Sequence, residues 1–176
     1  MPSDRWNAAF QSLTADDRAT LNTSSSNMLE VLREIVISTE KARDIAVNTQ
    51  WRVKWKGEVI EIRQVAGKII RWVNEFKEFG DLIMQYDPGH AALPWAAVRI
   101  VLHSITAEHE STALVWVGIE RCAYLIDRCA VYEGLLLLPS LRASAGLVAA
   151  LIKLYTAILR LLSRSKLHCS KGVASK

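Results

Sequence analysis

Cysteine and histidine are the residue types in this sequence best suited to nucleophilic or metal chemistry. The three cysteines, Cys122, Cys129 and Cys169, form no Cys-x-x-Cys pair, and an odd, scattered set does not indicate a disulfide framework. Cys122 and Cys129 lie seven positions apart on the apolar face of a predicted helix, where a thiol behaves as a small apolar group. We therefore expect core cysteines, a reducing compartment and no catalytic cysteine.

The four histidines do not have the spacing of a metal site. None belongs to a His-Glu-x-x-His motif or to a paired His/Cys motif of the kind that holds zinc; they are His90, His103, His109 and His168. We interpret His103 as a helix residue and His90 as a turn residue, and we predict no bound metal.

Acidic residues and glycines complete the chemical inventory. Glu75, Glu78 and Asp81 cluster on one predicted helix, but Arg71 and Lys77 lie nearby, so solvated surface charge is a simpler explanation than a general acid–base pair. Neither GxxxxGK nor GxGxxG occurs, so no backbone cradle for a polyphosphate is predicted. The sequence predicts no catalytic residue and no cofactor, and hence no enzyme. A catalytic site assembled from residues distant in sequence stays open as an alternative.

The net charge of +4 comes from the C-terminal end of the sequence. Residues 160–176 hold five of the 22 basic residues and no acidic one, which leaves 17 basic against 18 acidic residues in residues 1–159. Basic residues also interleave with tryptophan between Trp51 and Lys56, but no wider basic surface accompanies them. We expect no nucleic-acid partner, whereas a basic tail is attracted weakly to an anionic membrane surface.

No targeting or membrane-spanning segment is predicted. Met1 to Phe10 contain charged residues and lack the apolar centre of a secretory signal. Ala143 to Leu162 is the most apolar stretch, but Lys153 and Arg160 interrupt it before an uncharged run reaches about 18 residues. The expected location is therefore cytoplasmic.

An apolar stripe with helical spacing runs from Glu58 to Tyr86. Its members recur at intervals of three and four, which places them on one face of a helix: Val59, Ile62, Val65, Ile69, Trp72, Phe76, Phe79, Ile83 and Tyr86. Asp87-Pro88-Gly89 ends this predicted helix, because proline disfavours helical geometry in the residue before it.

The same test predicts helices over about Ser25–Val47, Leu93–Ala107, Ser111–Tyr132 and Ala143–Ser163, and Asn48–Gly57 is predicted as a connection. The apolar faces predicted for the first, third and fourth of these helices are Met28, Leu32, Ile35, Thr39, Ala42 and Ala46; Val115, Ile119, Cys122, Ile126 and Cys129; and Leu147, Leu151, Leu154, Ile158 and Leu161. Asp4–Leu13 and Ala15–Leu21 are predicted as short helices, the second with a Thr14 cap. Strand signals are scarce, because no Asn-Gly or Asp-Gly turn occurs and the apolar alternation around Val53 is brief.

These elements predict an all-α fold. Hydrophobic residues make up 51% of the sequence, enough for a core, and the helices fit a compact bundle of about five to six members. We place one domain at residues 1–163 and a disordered, basic tail at residues 164–176.

One segment resembles a known family. Gln85 to Arg99, with the sequence QYDPGHAALPWAAVR, resembles the signature of the helical domain at the N-terminus of fungal NACHT-type NTPases, the NOD-like receptors of fungi. Its signature residues here are Tyr86, Asp87, Pro88, Gly89, His90, Leu93, Pro94 and Trp95. Weaker similarity extends the resemblance over about Asp4 to Leu162.

The resemblance implies a regulatory role. In the proteins it resembles, this domain precedes a nucleotide-switched NACHT core and relays its state in self/non-self recognition or programmed cell death. A non-enzymatic signalling or interaction domain is therefore expected, with a NACHT NTPase or another signalling protein as its partner. The signature residues have a structural interpretation as a turn and the start of the next helix.

The 176 residues contain no P-loop, so the chain is expected to be a solitary domain, a fragment or a truncated gene product. The alternative function is a membrane-active helical bundle of a cell-death pathway, which would use the apolar C-terminal helix and the basic tail. The sequence leaves the oligomeric state open.

Overall fold

Seven α-helices and one β-hairpin form the described part of the chain. The computed structural model describes residues 2–22, 27–84, 92–105, 110–136 and 145–173. The helices are α1 (Pro2–Gln11), α2 (Ala15–Thr20), α3 (Met28–Thr49), α4 (Ile62–Met84), α5 (Ala92–Ser104), α6 (Glu110–Leu136) and α7 (Ala145–Val173). The strands are β1 (Arg52–Trp55) and β2 (Glu58–Glu61). The predicted all-α bundle is confirmed, with the two short helices included and a small hairpin added.

Five of the helices close into a ring, in the order α3, α4, α6, α7 and α5, in which each packs on its two neighbours. α1 and α2 pack on α7. Apolar side chains from all these helices meet in one buried cluster, whose removal from water is the main stabilising contribution. α5 is the most enclosed helix, because eight of its 13 residues are buried.

α3 follows the sequence prediction closely. Asn27 caps it, since its side-chain oxygen accepts a hydrogen bond of 2.9 Å from the Leu29 N–H, and Gln50 ends it in a left-handed conformation. The buried residues of this helix include five that the stripe predicts: Met28, Leu32, Ile35, Thr39 and Ala46.

A β-hairpin precedes α4, where the sequence analysis predicted a connection and the start of a helix. β1 and β2 run antiparallel, with Arg52 opposite Glu61 and Trp55 opposite Glu58. Lys56 and Gly57 form the two-residue turn with φ values of 50° and 84°, the pair of positive values that a tight hairpin turn requires. The prediction that a helix begins at Glu58 is therefore wrong, and α4 begins at Ile62.

The predicted stripe of α4 is confirmed along its middle and wrong at two positions. Its buried members are Ile62, Val65, Ile69 and Phe76. Val59 lies on β2 and is 58% exposed, and Phe79 is 48% exposed on α4. The side chains of Ile83 and Tyr86 lie outside the described residues.

α6 and α7 differ in how well the sequence predicts them. All five apolar residues predicted for the α6 stripe are buried: Val115, Ile119, Cys122, Ile126 and Cys129. α7 continues to Val173, so the predicted disordered tail is wrong for residues 164–173. Cys169 is buried there, and the Lys166 ammonium donates a 2.7 Å hydrogen bond to the Thr20 carbonyl. Residues 174–176 lie outside the described residues.

Candidate interaction surface

The family signature is described only in its second half. Tyr86, Asp87, Pro88, Gly89 and His90 lie outside the described residues. Leu93, Pro94 and Trp95 form the beginning of α5, where Leu93 is half-buried and the other two are buried.

Trp95 is a core residue. Its side chain is fully buried, and its ring meets that of Phe76 edge to face, with centroids 5.1 Å apart. Its Nε1 has no hydrogen-bond partner among the described residues, so the ring is held by packing alone. The described part of the signature thus has a structural role in joining α5 to α4.

The helix thiols are protonated core groups. Burial raises the pKa of Cys122 to about 12, and burial together with the Glu133 charge raises the pKa of Cys129 to about 11. A thiol is a nucleophile only as the thiolate, which these pKa values suppress near neutral pH. Neither thiol is set up to act as a nucleophile.

The histidines do not come together in the described residues. His103 is exposed on α5, with its Nε2 4.0 Å from a Glu34 oxygen, and His168 is exposed on α7. His90 and His109 lie outside the described residues. Over the described ranges, no group of three His, Cys, Asp or Glu side chains is arranged to hold a metal.

A buried polar cluster joins α1, α6 and α7, and no sequence motif indicates it. The Arg5 guanidinium lies 3.2 Å from a carboxylate oxygen of Glu133, which is 7% exposed. Removal from water raises the pKa of Glu133, against the lowering influence of Tyr155 and Arg5. The Tyr155 hydroxyl is close enough to this carboxyl to influence its pKa, but the two groups do not meet the distance and angle limits of a hydrogen bond. The cluster is closed to solvent, which suits it to fixing α1 rather than to reacting with a substrate.

A second buried carboxylate, Asp17, ties α2 to α7. It accepts hydrogen bonds from the Ser163 hydroxyl at 2.7 Å and the Thr14 hydroxyl at 2.9 Å. The bond from Ser163 is the main reason that the pKa of Asp17 is lowered, and Arg164 and Arg160 contribute to the lowering. Asp17 therefore takes part in the N-terminal cap of α2 and also links α2 to α7.

One glutamate pairs with two arginines of the basic and aromatic segment around the hairpin. Arg52 and Arg63 both pair with Glu61, at 3.3 Å and 2.7 Å. The hydrogen bond from Arg63 is the main cause of the lowered pKa of Glu61. These three residues and Trp51 line a small open pocket of about 140 Å³, together with Ala46, Val47 and Gln50. Glu61 offsets one of the two arginine charges, and the Arg52 and Arg63 side chains remain 55% and 53% exposed.

The surface between α4 and α6 carries an ordered set of aromatic and arginine side chains, which we call the Trp72 cluster: Arg71, Trp72, Glu75, Tyr124 and Arg128. The Trp72 and Tyr124 rings meet edge to face, with centroids 5.0 Å apart. The guanidinium carbons of Arg71 and Arg128 lie 4.9 Å and 5.5 Å from the Trp72 ring centroid, within the range of cation–π attraction.

Glu75 holds both arginines of the Trp72 cluster in place. Its two carboxylate oxygens lie 2.9 Å from Arg71 Nε and 3.3 Å from Arg128 Nη2. The Trp72 indole is fixed separately, because its Nε1 donates a 3.0 Å hydrogen bond to Glu120. The Arg71 and Arg128 side chains remain 66% and 39% exposed, so both can still contact a partner.

α7 adds an apolar surface at its N-terminal end. By length and composition alone the span Ala145–Lys171 could cross a membrane; its most apolar 18-residue window has a mean hydropathy of 1.8 and is 28% buried. The sequence analysis predicts no span because it counts uncharged runs, which Lys153 and Arg160 interrupt, and this stays a prediction. Leu147 and Leu161, both predicted to be buried, are 42% and 46% exposed.

Comparison of the chain with protein-family models, with curated proteins and with solved structures finds no match in any of the three.

Proposed function

We propose that this chain is a non-enzymatic helical interaction domain of a signalling pathway, of the kind found at the N-terminus of fungal NOD-like receptors. The Trp72 cluster is the observation that carries this proposal. Tryptophan, tyrosine and arginine are the residue types that dominate binding energy at protein interfaces. Here all three types share one exposed surface.

The rigidity of the Trp72 cluster supports the same function. Glu75 and Glu120 hold the two arginines and the indole in the free protein, so little side-chain freedom is lost when a partner binds. Three other carboxyl groups are buried: Asp17, Glu133 and Asp127. The first two join helices, and Asp127 is enclosed by the bundle. The ordered side chains that remain on the surface are therefore suited to binding a partner.

The partner we propose is a NACHT NTPase or another signalling protein of the same pathway. The 176 residues contain no phosphate-binding loop, so in this proposal the nucleotide switch lies in the NACHT core that the domain contacts. The domain then relays the partner's state in self/non-self recognition or cell death.

Proximity labelling in a filamentous fungus tests this proposal. The chain is fused to a labelling enzyme and compared with R71A/R128A and with R52A/R63A. The second double variant is a matched control, because it also removes two arginines that share one glutamate. We expect the wild type and the control to label a NACHT NTPase, and R71A/R128A to label it at least ~10-fold less, which corresponds to about 1.4 kcal/mol. Absence of any NACHT NTPase from the labelled set, or equal labelling by the two double variants, would overturn the proposal.

The apolar surface of α7 favours a second candidate function, a membrane-active bundle. Helix α7 contains no acidic residue, and its exposed residues include Leu161 together with the basic Lys153 and Arg160. Apolar and cationic side chains on one helix favour adsorption to an anionic bilayer.

Dye release from vesicles containing phosphatidylserine tests this second function. Membrane activity predicts release by the wild type, little release by L161E, and unchanged release by V59E, whose site is an exposed valine outside α7. Intact vesicles with the wild type would exclude it.

A further inference from the structure

Helix α6 exposes a continuous outward stripe of apolar, aromatic and basic side chains. At about 100° per residue, its members share one arc of about 120°. The α6 stripe consists of Leu114, Val117, Gly118, Arg121, Tyr124, Leu125, Arg128 and Tyr132, all exposed or half-buried. Leu114 is 40% exposed and Tyr132 is 60% exposed, although both are large apolar side chains.

The α6 stripe holds no acidic residue, because the described acidic side chains of α6 point elsewhere. Glu120 accepts the hydrogen bond from Trp72, and Asp127 and Glu133 are buried. Arg121 is exposed and forms no ion pair with another described residue. The Arg128 side chain is 39% exposed, but its guanidinium pairs with Glu75 and lies 3.7 Å from an Asp127 oxygen. The unpaired positive charge of the α6 stripe is therefore that of Arg121.

Helix α3 exposes an apolar surface whose charged residues have the opposite net sign. Leu29, Ile37 and Val47 are 55%, 53% and 49% exposed, and with Ile45 they give α3 more exposed large apolar side chains than any other described helix. The α3 face consists of Leu29, Glu30, Arg33, Ile37, Glu40, Lys41, Asp44 and Val47. Three acidic and two basic residues give it a net charge of −1, and its acidic residues form no ion pair with another described residue.

The two surfaces match in length. Leu29 to Val47 and Leu114 to Tyr132 span the same number of residues, and each corresponds to about 27 Å of helix. Each presents an apolar residue at both ends and charged residues between them, of opposite net sign.

One copy of the chain cannot bring these surfaces together. α3 and α6 are not neighbours in the helix ring, because α4 separates them on one side and α5 and α7 on the other. Their outward faces therefore point in different directions, and a contact between them has to join two copies.

We propose that copies of this chain associate head to tail, with the α6 stripe of one copy on the α3 face of the next. This inference rests on the proposed function and names a second copy of the chain as one partner of the interaction domain. The contact joins two different surfaces, so it leaves one free surface of each kind at the ends of any assembly and can continue with further copies.

Sedimentation velocity on the purified chain tests the proposal. Chain concentrations from about 10 µM to 1 mM cover the dissociation constants expected of a small interface. The variants are I37E on the α3 face and Y132E on the α6 stripe, and V59E is the control because it places the same charge at an equally exposed apolar site on the hairpin. We expect the mean mass of the wild type and of V59E to rise with concentration. Each of I37E and Y132E should remain monomeric alone or lose at least ~10-fold in association constant.

Mixing the two face variants gives the decisive result. I37E keeps an intact α6 stripe and Y132E keeps an intact α3 face, so an equimolar mixture should form a dimer and no larger species. A wild type that stays monomeric throughout, a mixture that stays monomeric, or an equal defect in V59E would overturn the proposal. Tyr124 and Arg128 belong to both the α6 stripe and the Trp72 cluster, whereas Ile37 and Tyr132 lie outside the cluster. Sedimentation uses the chain alone and substitutes only Ile37 and Tyr132, so its failure is distinct from a failure to label a NACHT NTPase through Arg71 and Arg128.

Discussion

The Trp6 indole lies flat against the Tyr155 ring, with ring centroids 3.8 Å apart and planes inclined by only 2°. This stack joins α1 to α7, and the neighbouring pair of Arg5 and Glu133 joins α1 to α6. The first helix is thus attached to two others through adjacent residues. Its contacts explain how a ten-residue helix, too short to be stable alone, is held in place.

We expect Trp6→Ala to lower the free energy of unfolding by about 3 to 5 kcal/mol, because the ring is 6% exposed and its removal leaves a cavity beside Tyr155. Trp6→Phe keeps an aromatic ring and should lose less than half as much. Urea denaturation measures both values. A loss below about 1 kcal/mol for Trp6→Ala would show that the stack does not hold α1.

Trp95→Ala should also lower the free energy of unfolding by about 3 to 5 kcal/mol, since the ring is fully buried against Phe76. Trp55→Ala is the matched control, because this ring is 42% exposed on the hairpin, and we expect its effect to stay near 0.5 kcal/mol. Thermal melting followed by circular dichroism compares the two. Similar melting temperatures for both variants would contradict the structural role of Trp95.

Asp17 should make the protein sensitive to acid. Its pKa is lowered from the ordinary value of 3.8, chiefly by the hydrogen bond from Ser163. The ionised form is therefore favoured in the folded state, and the resulting stabilisation is complete above pH 3.8 and lost as the pH falls through the folded-state pKa. Asp17→Asn and Ser163→Ala should each flatten the fall in stability below pH 4. Urea titrations from pH 2 to 6 measure the free energy of unfolding of the wild type and both variants. If it falls as steeply with pH in the variants as in the wild type, this role of Asp17 is wrong.

Asp127 should have the opposite pH dependence. Burial raises its pKa above 3.8, with Arg128 acting against the shift and Glu75 adding to it, and Oδ1 has no hydrogen-bond partner among the described residues. The folded state favours the neutral acid, so stability falls as the pH rises through the raised pKa. Asp127→Asn should be more stable than the wild type at pH 7 and should lose this advantage below pH 3.8. A less stable variant at pH 7 would refute the prediction.

The cysteines should be unreactive in the folded protein. All three are buried, and burial raises the pKa of Cys122 to about 12. A thiol-disulfide reagent at pH 8 should label the native protein only at the rate of unfolding, whereas the same reagent in guanidinium should titrate three thiols at once. Rapid labelling of a native cysteine would identify an accessible thiol that the structure does not show.

The helices were predictable wherever a single stripe decides which face is buried. Ile119 and Cys122 on α6 are buried as their spacing predicts. The hairpin was not predicted, because Val59 stands three residues before Ile62 and so imitates a helical interval. Gly57 was the available signal, since a glycine after Lys56 suits a turn with two positive φ values.

The extension of α7 also had a signal. Cys169 lies seven residues beyond Leu162, which continues the buried stripe past the end predicted at Ser163. The Ser- and Lys-rich composition of residues 164–176 led instead to the prediction of a disordered tail. A local composition does not show that Lys166 reaches a carbonyl on another helix.

The candidate interaction surface could be predicted only in part. Arg71 and Glu75 are four residues apart on one helix and were recognised as neighbouring surface charges. Arg128 is 53 residues from Glu75, and Arg5 is 128 residues from Glu133, so neither pair leaves a pattern in a single sequence. These contacts depend on which helices become neighbours in the bundle.

The bond between Asp17 and Ser163 spans 146 residues, which has a consequence for synthesis. At about 5 to 20 residues per second, a ribosome needs roughly 7 to 30 s to make the chain between the two partners. Throughout that time the emerging α1 exposes Trp6 without the helix whose Tyr155 later stacks on it. This apolar ring is therefore open to chaperone binding until α7 leaves the ribosome.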